Sequence, residues 1–141
     1  MNPAVPMLAP AIALVLWSFV IFFWMYWTRI PAIVRARMRL DPNAPRGAQM
    51  ATLPPEVRWK ADNYNHLFEQ PTLFYAVAIA LAVLGDQSLW SVGLAWAYVG
   101  TRVVHSLWQA LRNQITVRFG IFSVSALLLL ALSVRAALQV F

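Results

Sequence analysis

Three features of this 141-residue chain predict an all-α membrane protein, a single domain (1–141) of four transmembrane helices in an antiparallel up-and-down bundle. Hydrophobic residues make up 61% of it and charged residues 11%, with a mean hydropathy of +0.62, far from the balance of a soluble domain. The apolar residues gather in four runs, at about 7–27, 66–84, 89–110 and 119–140. At about 1.5 Å per helical residue each run crosses, or nearly crosses, a hydrocarbon layer of about 30 Å. The basic residues are segregated: Arg29, Arg35, Arg37, Arg39, Arg46, Arg58 and Lys60 all fall between the first two runs, the mark of a cytoplasmic loop.

The first run carries neither the basic start nor the small-residue cleavage site of a signal peptide. Pro10 falls in its first turn, where a missing amide hydrogen costs least. Trp24, Tyr26 and Trp27 cluster at its far end, where aromatic rings favour the membrane interface, so the span ends near Thr28. Residues 28–65 form the one long connection. Its first part, Arg29–Leu40, alternates apolar and basic residues and can extend the helix; prolines and Gly47 make Asp41–Pro55 a loop. A helix restarts at Pro55 or Glu56, with proline in a favoured early position.

The second run opens DNYNHLFEQPTLFYA. On a helix Asp62, His66 and Glu69 share one face, with Asn65 a turn before Glu69. An acid at the mouth of a membrane helix is costly unless it is paired or functional, which makes Glu69 a candidate ligand-binding residue. Pro71 removes a backbone hydrogen bond and crowds the preceding turn, predicting a kink at His66–Glu69. Ala76, Ala78, Ala80 and Ala82 supply small-residue faces for helix packing.

Gly85-Asp86-Gln87-Ser88 is a tight turn. The third run offers a second small-residue row, Gly93, Ala97 and Thr101, and then a polar stripe of Arg102, His105, Gln109 and Asn113, spaced three, four and four apart. Such a stripe cannot face lipid. Arg102 lies too deep to snorkel easily and needs an acidic partner, so the expected pair is Glu69 with Arg102, Arg118 or both. A short polar turn leads to Arg118 at the mouth of the fourth run, near whose far end Arg135 can snorkel. Counting basic residues by side puts 28–65 and 111–118 in the cytoplasm and both termini outside. The polar residues of three helices thus converge at their cytoplasmic ends.

Other chemistries are excluded or demoted. Without cysteine there is no disulfide or thiol catalysis from the chain itself. Two histidines are too few for an ordinary zinc site, and no metal is expected. The net charge of +6 sits in a juxtamembrane loop, where it sets topology and meets anionic lipid; nucleic acid is not the expected partner. His66, between Glu69 and the arginines, is the candidate general acid or base; His105, on a packed helix, reads as a satisfied hydrogen-bonder.

HLFEQPTLFY followed by RVVHSLWQALRNQITVRFG resembles bacterial members of the MAPEG family, the membrane-associated proteins in eicosanoid and glutathione metabolism. The resemblance covers roughly residues 58–130. It implies a homotrimer in a bacterial inner membrane, with glutathione as co-substrate near the cytoplasmic face and a lipophilic electrophile arriving from the bilayer. By position, Glu69, Arg102 and His105 resemble the family's ligand-binding residues, and Arg118 resembles the arginine that stabilises the thiolate. Where enzymatic members carry an arginine and an asparagine this chain has Asp62 and His66, so Arg58 or Lys60 must take over the carboxylate. Asn65, Gln109 and Asn113 complete the expected ligand set. The resemblance leaves two main functions open, a glutathione-dependent transferase or peroxidase and a non-catalytic lipid-binding or interaction protein. A small four-span transporter is a remote third.

Overall fold

The computed structural model describes residues 5–141, five α-helices and one short 3-10 turn. Helix α1 is Val5–Arg35, α2 Pro55–His66, α3 Gln70–Val83, α4 Leu89–Leu111 and α5 Ile115–Val140. Three stretches are long and apolar enough to cross a membrane: α1, α5, and α2 with α3 taken together. Helix α3 alone has 14 residues, about 21 Å, so the second limb needs the last turns of α2. The polar stripe keeps α4 out of that count, but its 23 residues reach about 35 Å. The four-limbed, all-α bundle expected from the sequence is the fold.

Helix α1 runs past its aromatic belt and through Pro31 to Arg35, along the first part of the stretch expected to extend it. Its 31 residues span about 46 Å, some 16 Å more than the hydrocarbon core. It stops at a Schellman motif: Met38 N–H donates to Ile33 O and Arg37 N–H to Val34 O, with Arg37 at φ 47°, a position glycine usually occupies. Gly85 ends α3 the same way, at φ 75°, with Asp86 N–H on Leu81 O.

Helix α4 packs on α5, α1 and α2, and α1 on α2 and α3. Leu14, Ile21, Phe74, Leu81, Tyr98 and Leu132 are fully buried, and Phe74 stacks on Tyr98 at 4.5 Å. In lipid such packing stabilises through close contact rather than water exclusion. Of the predicted small-residue faces, Ala78 and Ala82 are buried, whereas Ala76, Ala80, Gly93 and Ala97 lie on the outside of the chain. A Cβ on Gly93 would meet nothing within 4 Å.

At the end opposite the long loop, the α3–α4 turn is tied to the end of α5. Gln139 Nε2 donates to Asp86 Oδ2 (2.6 Å), Arg135 donates to Ser91 Oγ (2.7 Å) and Ser88 Oγ (3.1 Å), and the Ser91 hydroxyl donates to Asp86. Arg135 therefore does not snorkel alone; its nearest acid, Asp86, is 3.8 Å away. Burial pushes the Asp86 carboxyl up, but the hydroxyls of Ser91 and Ser88, the Ser88 amide and Gln139 outweigh it and hold the group well below the usual carboxylate range.

Candidate functional site

The chain breaks between α2 and α3, at Leu67–Glu69, because Pro71 stands in the first turn of α3 and offers no amide hydrogen. The break frees backbone acceptors, and one of them, His66 O, accepts from Arg102 Nη2 at 3.0 Å. Arg102 is 1% exposed, its Nε and Nη1 have no partner, and its guanidinium lies 6.0 Å from the Phe122 ring. His66 Nδ1 lies 2.9 Å from Glu69 Oε2. That approach is an ion-pair distance without the N–H direction of a hydrogen bond.

Asn113 ends α4 in the left-handed region at φ 52°, its amide on Trp108 O, a conformation asparagine tolerates well. Its side-chain oxygen accepts from Arg118 Nη1, which positions the guanidinium at the start of α5. Asn63 Nδ2 donates to Ser106 O (3.1 Å) and Ser106 Oγ to Asn63 Oδ1 (2.9 Å), locking α2 to α4. Lys60 adds a bond to Ala110 O at 3.4 Å.

Among the described residues, eight buried side-chain polar atoms lack a hydrogen-bond partner. Six of them are here: His66 Nδ1, Arg102 Nε and Nη1, His105 Nδ1, Gln109 Oε1 and Arg118 Nε. Buried polar atoms are ordinarily satisfied, and this concentration makes the region the candidate site. Two cavities open on it. A polar one of about 350 Å³ is lined by Asp62, Asn65, His66, Glu69, Gln109 and Arg118. An apolar one of about 220 Å³ is lined by His66, His105, Ile115, Arg118, Phe119 and Phe122. His66 and Arg118 form part of both walls. A third cavity, about 430 Å³, continues from Asp62 and Asn65 to Arg58 and Arg29 beneath the long loop.

A model of the MAPEG family matches residues 7–138, nearly the whole chain. The chain belongs to the MAPEG family. No curated protein and no solved structure matches it. Membership and the apolar helices make it an integral membrane protein.

Of the residues that the sequence assigned to a MAPEG site, the fold brings Asn65, His66, Glu69, Gln109 and Arg118 to the polar cavity and His105 to the apolar one. Arg58 lines the adjoining third cavity. Arg102 lies behind His66 and lines none of them, and Asn113 acts through Arg118. The expected pair of Glu69 with Arg102 or Arg118 is not formed. The break at Leu67–Glu69 leaves the Glu69 side chain 61% exposed beside His66, and Arg102 is spent on a backbone carbonyl instead. His105 is likewise not the satisfied hydrogen-bonder expected, since its Nδ1 is buried without a partner. Sequence reasoning missed Asn63 and Ser106, whose only signal was a polar pair on two otherwise packed faces, and the apolar wall of Ile115, Phe119 and Phe122. Among the described residues no group of three His, Cys, Asp or Glu could hold a metal.

Proposed function

We propose that this MAPEG protein is a glutathione-dependent transferase or peroxidase acting on lipophilic electrophiles. The observation that carries the reading is the shared wall, where His66 and Arg118 separate a polar cavity from an apolar one. Glutathione has two carboxylates, an ammonium group and a thiol. The residues present fit that set: Arg118, Arg58 and Arg29 suit carboxylates through their bidentate forks, Asp62 and Glu69 suit the ammonium, and the unpartnered Gln109 oxygen suits an amide hydrogen. When bound, glutathione supplies the sulfur nucleophile. Arg118 favours the anionic form of that sulfur and lowers its pKa. His66 takes the proton at its imidazole, and the Glu69 carboxylate stabilises the resulting charge. Ile115, Phe119 and Phe122 offer the electrophile an apolar seat within reach of both residues.

The outward small-residue faces of α3 and α4 suit close contact with other copies of the chain, in keeping with a homotrimer. The basic loop suits the cytoplasmic side of a bacterial inner membrane, with the termini outside. Calorimetry on the detergent-solubilised protein tests the site. The expected result is glutathione binding in the micromolar to millimolar range, lost in Arg118→Ala. No binding by folded protein at several millimolar would overturn it and favour a MAPEG protein that binds lipid without glutathione chemistry.

A further inference from the structure

At the loop end of α1 lies a groove of about 580 Å³ that shares no lining residue with the cavity beneath the loop. Trp27, Thr28, Pro31 and Arg35 of α1 line it, together with Pro54 and Val57 at the start of α2. Its position follows from the length of α1. Trp27 marks the membrane interface, and the remaining turns carry the helix past it to Arg35, at the level of lipid head groups.

Two further features give the groove a chemical character. Ile12, Leu16, Phe19, Phe23, Trp27 and Ile30 repeat every three to four residues along α1 and are all exposed, forming an apolar stripe that runs from mid-helix to the groove. Beyond it stand Arg35, Arg37 and Arg39, and from residue 28 to 40 there is no acid. None of the three makes an ion pair among the described residues. Arg37 holds a left-handed backbone position where glycine is more comfortable, so a charge stands where the helix end alone would favour no side chain.

We propose that this groove is a binding site for an anionic phospholipid, whose phosphate meets Arg35 and Arg37, whose backbone lies against Trp27 and Pro31, and whose acyl chains follow the α1 stripe. Charge complementarity selects the occupant. A cluster of arginines directly beside a membrane span attracts acidic head groups, at about fivefold in affinity per arginine, while a zwitterionic head group gains little from them. The site is independent of glutathione binding, with which it shares no lining residue.

Native mass spectrometry of the full-length protein in detergent tests this, using palmitoyl-oleoyl phosphatidylglycerol against the phosphatidylcholine of the same chains. Wild type is expected to retain the anionic lipid at least fivefold better. The pair Arg35→Gln/Arg37→Gln should bring that preference close to one. Ala36→Trp, which keeps both charges but fills the groove, should abolish retention with the fold intact by circular dichroism. Equal retention of the two lipids by wild type overturns the proposal, as does a preference that survives both variants. Variants that change subunit stoichiometry but not lipid retention would show that a second copy of the chain covers the groove.

Discussion

Asn63 and Ser106 exchange two hydrogen bonds in the seam between α2 and α4, where neither has water to fall back on. Asn63→Ala removes the acceptor of the buried Ser106 hydroxyl and the extra donor to Ser106 O and is expected to lower stability by about 2 kcal/mol, read as a drop in the thermal unfolding midpoint in detergent. Glu69→Gln, in contrast, should shift stability by no more than about 0.5 kcal/mol, because the Glu69 side chain is largely exposed and its close neighbour His66 is a charged partner only when protonated. A loss of 3 kcal/mol or more would mean that Glu69 carries a buried pair after all. The candidate residues themselves were largely legible in the sequence, since polar side chains spaced three and four apart on an apolar helix must converge on something. Their partners were not. Whether Arg102 meets a carboxylate or a carbonyl depends on a backbone break whose geometry no spacing rule describes.

Pro71 announced a kink, and the chain answers with a complete break, because the freed His66 carbonyl finds a donor in Arg102 and a continuous helix is no longer required to satisfy it. Helix α1 continues past its aromatic belt to Arg35, since aromatic residues mark the membrane surface and not the end of a helix. At the opposite end, the Asp86 cluster holds α3, α4 and α5 together. Asp86 has a folded pKa below its unfolded value of about 3.9. Its contribution is therefore complete above that value and is lost as pH falls through it toward the folded pKa. Wild type should lose thermal stability progressively as pH falls below about 5, with the loss continuing below about pH 3. Asp86→Asn should begin about 1–3 kcal/mol lower and show a flatter acid profile. Parallel profiles for the two proteins would remove Asp86 from the account.

For the whole molecule, hydropathy and charge segregation defined four limbs, because a bilayer leaves the backbone few alternatives to helices. They did not define which faces meet, and the outward rows at Ala76, Ala80, Gly93 and Ala97 show why: small residues promise close packing without naming the partner helix. The two cavities meeting at His66 and Arg118 are a property of the assembled bundle alone, contributed by α2, α4 and α5 together. The reading that they hold a thiol on one side and an electrophile on the other is tested most directly by the ultraviolet absorbance of the thiolate when glutathione is added to the purified protein. A thiolate band is expected at neutral pH in wild type, and in Arg118→Ala, which no longer holds glutathione, the band should be that of the free thiol and absent at neutral pH. Glutathione that binds but keeps its sulfur protonated at neutral pH, or a band indifferent to Arg118, would contradict it.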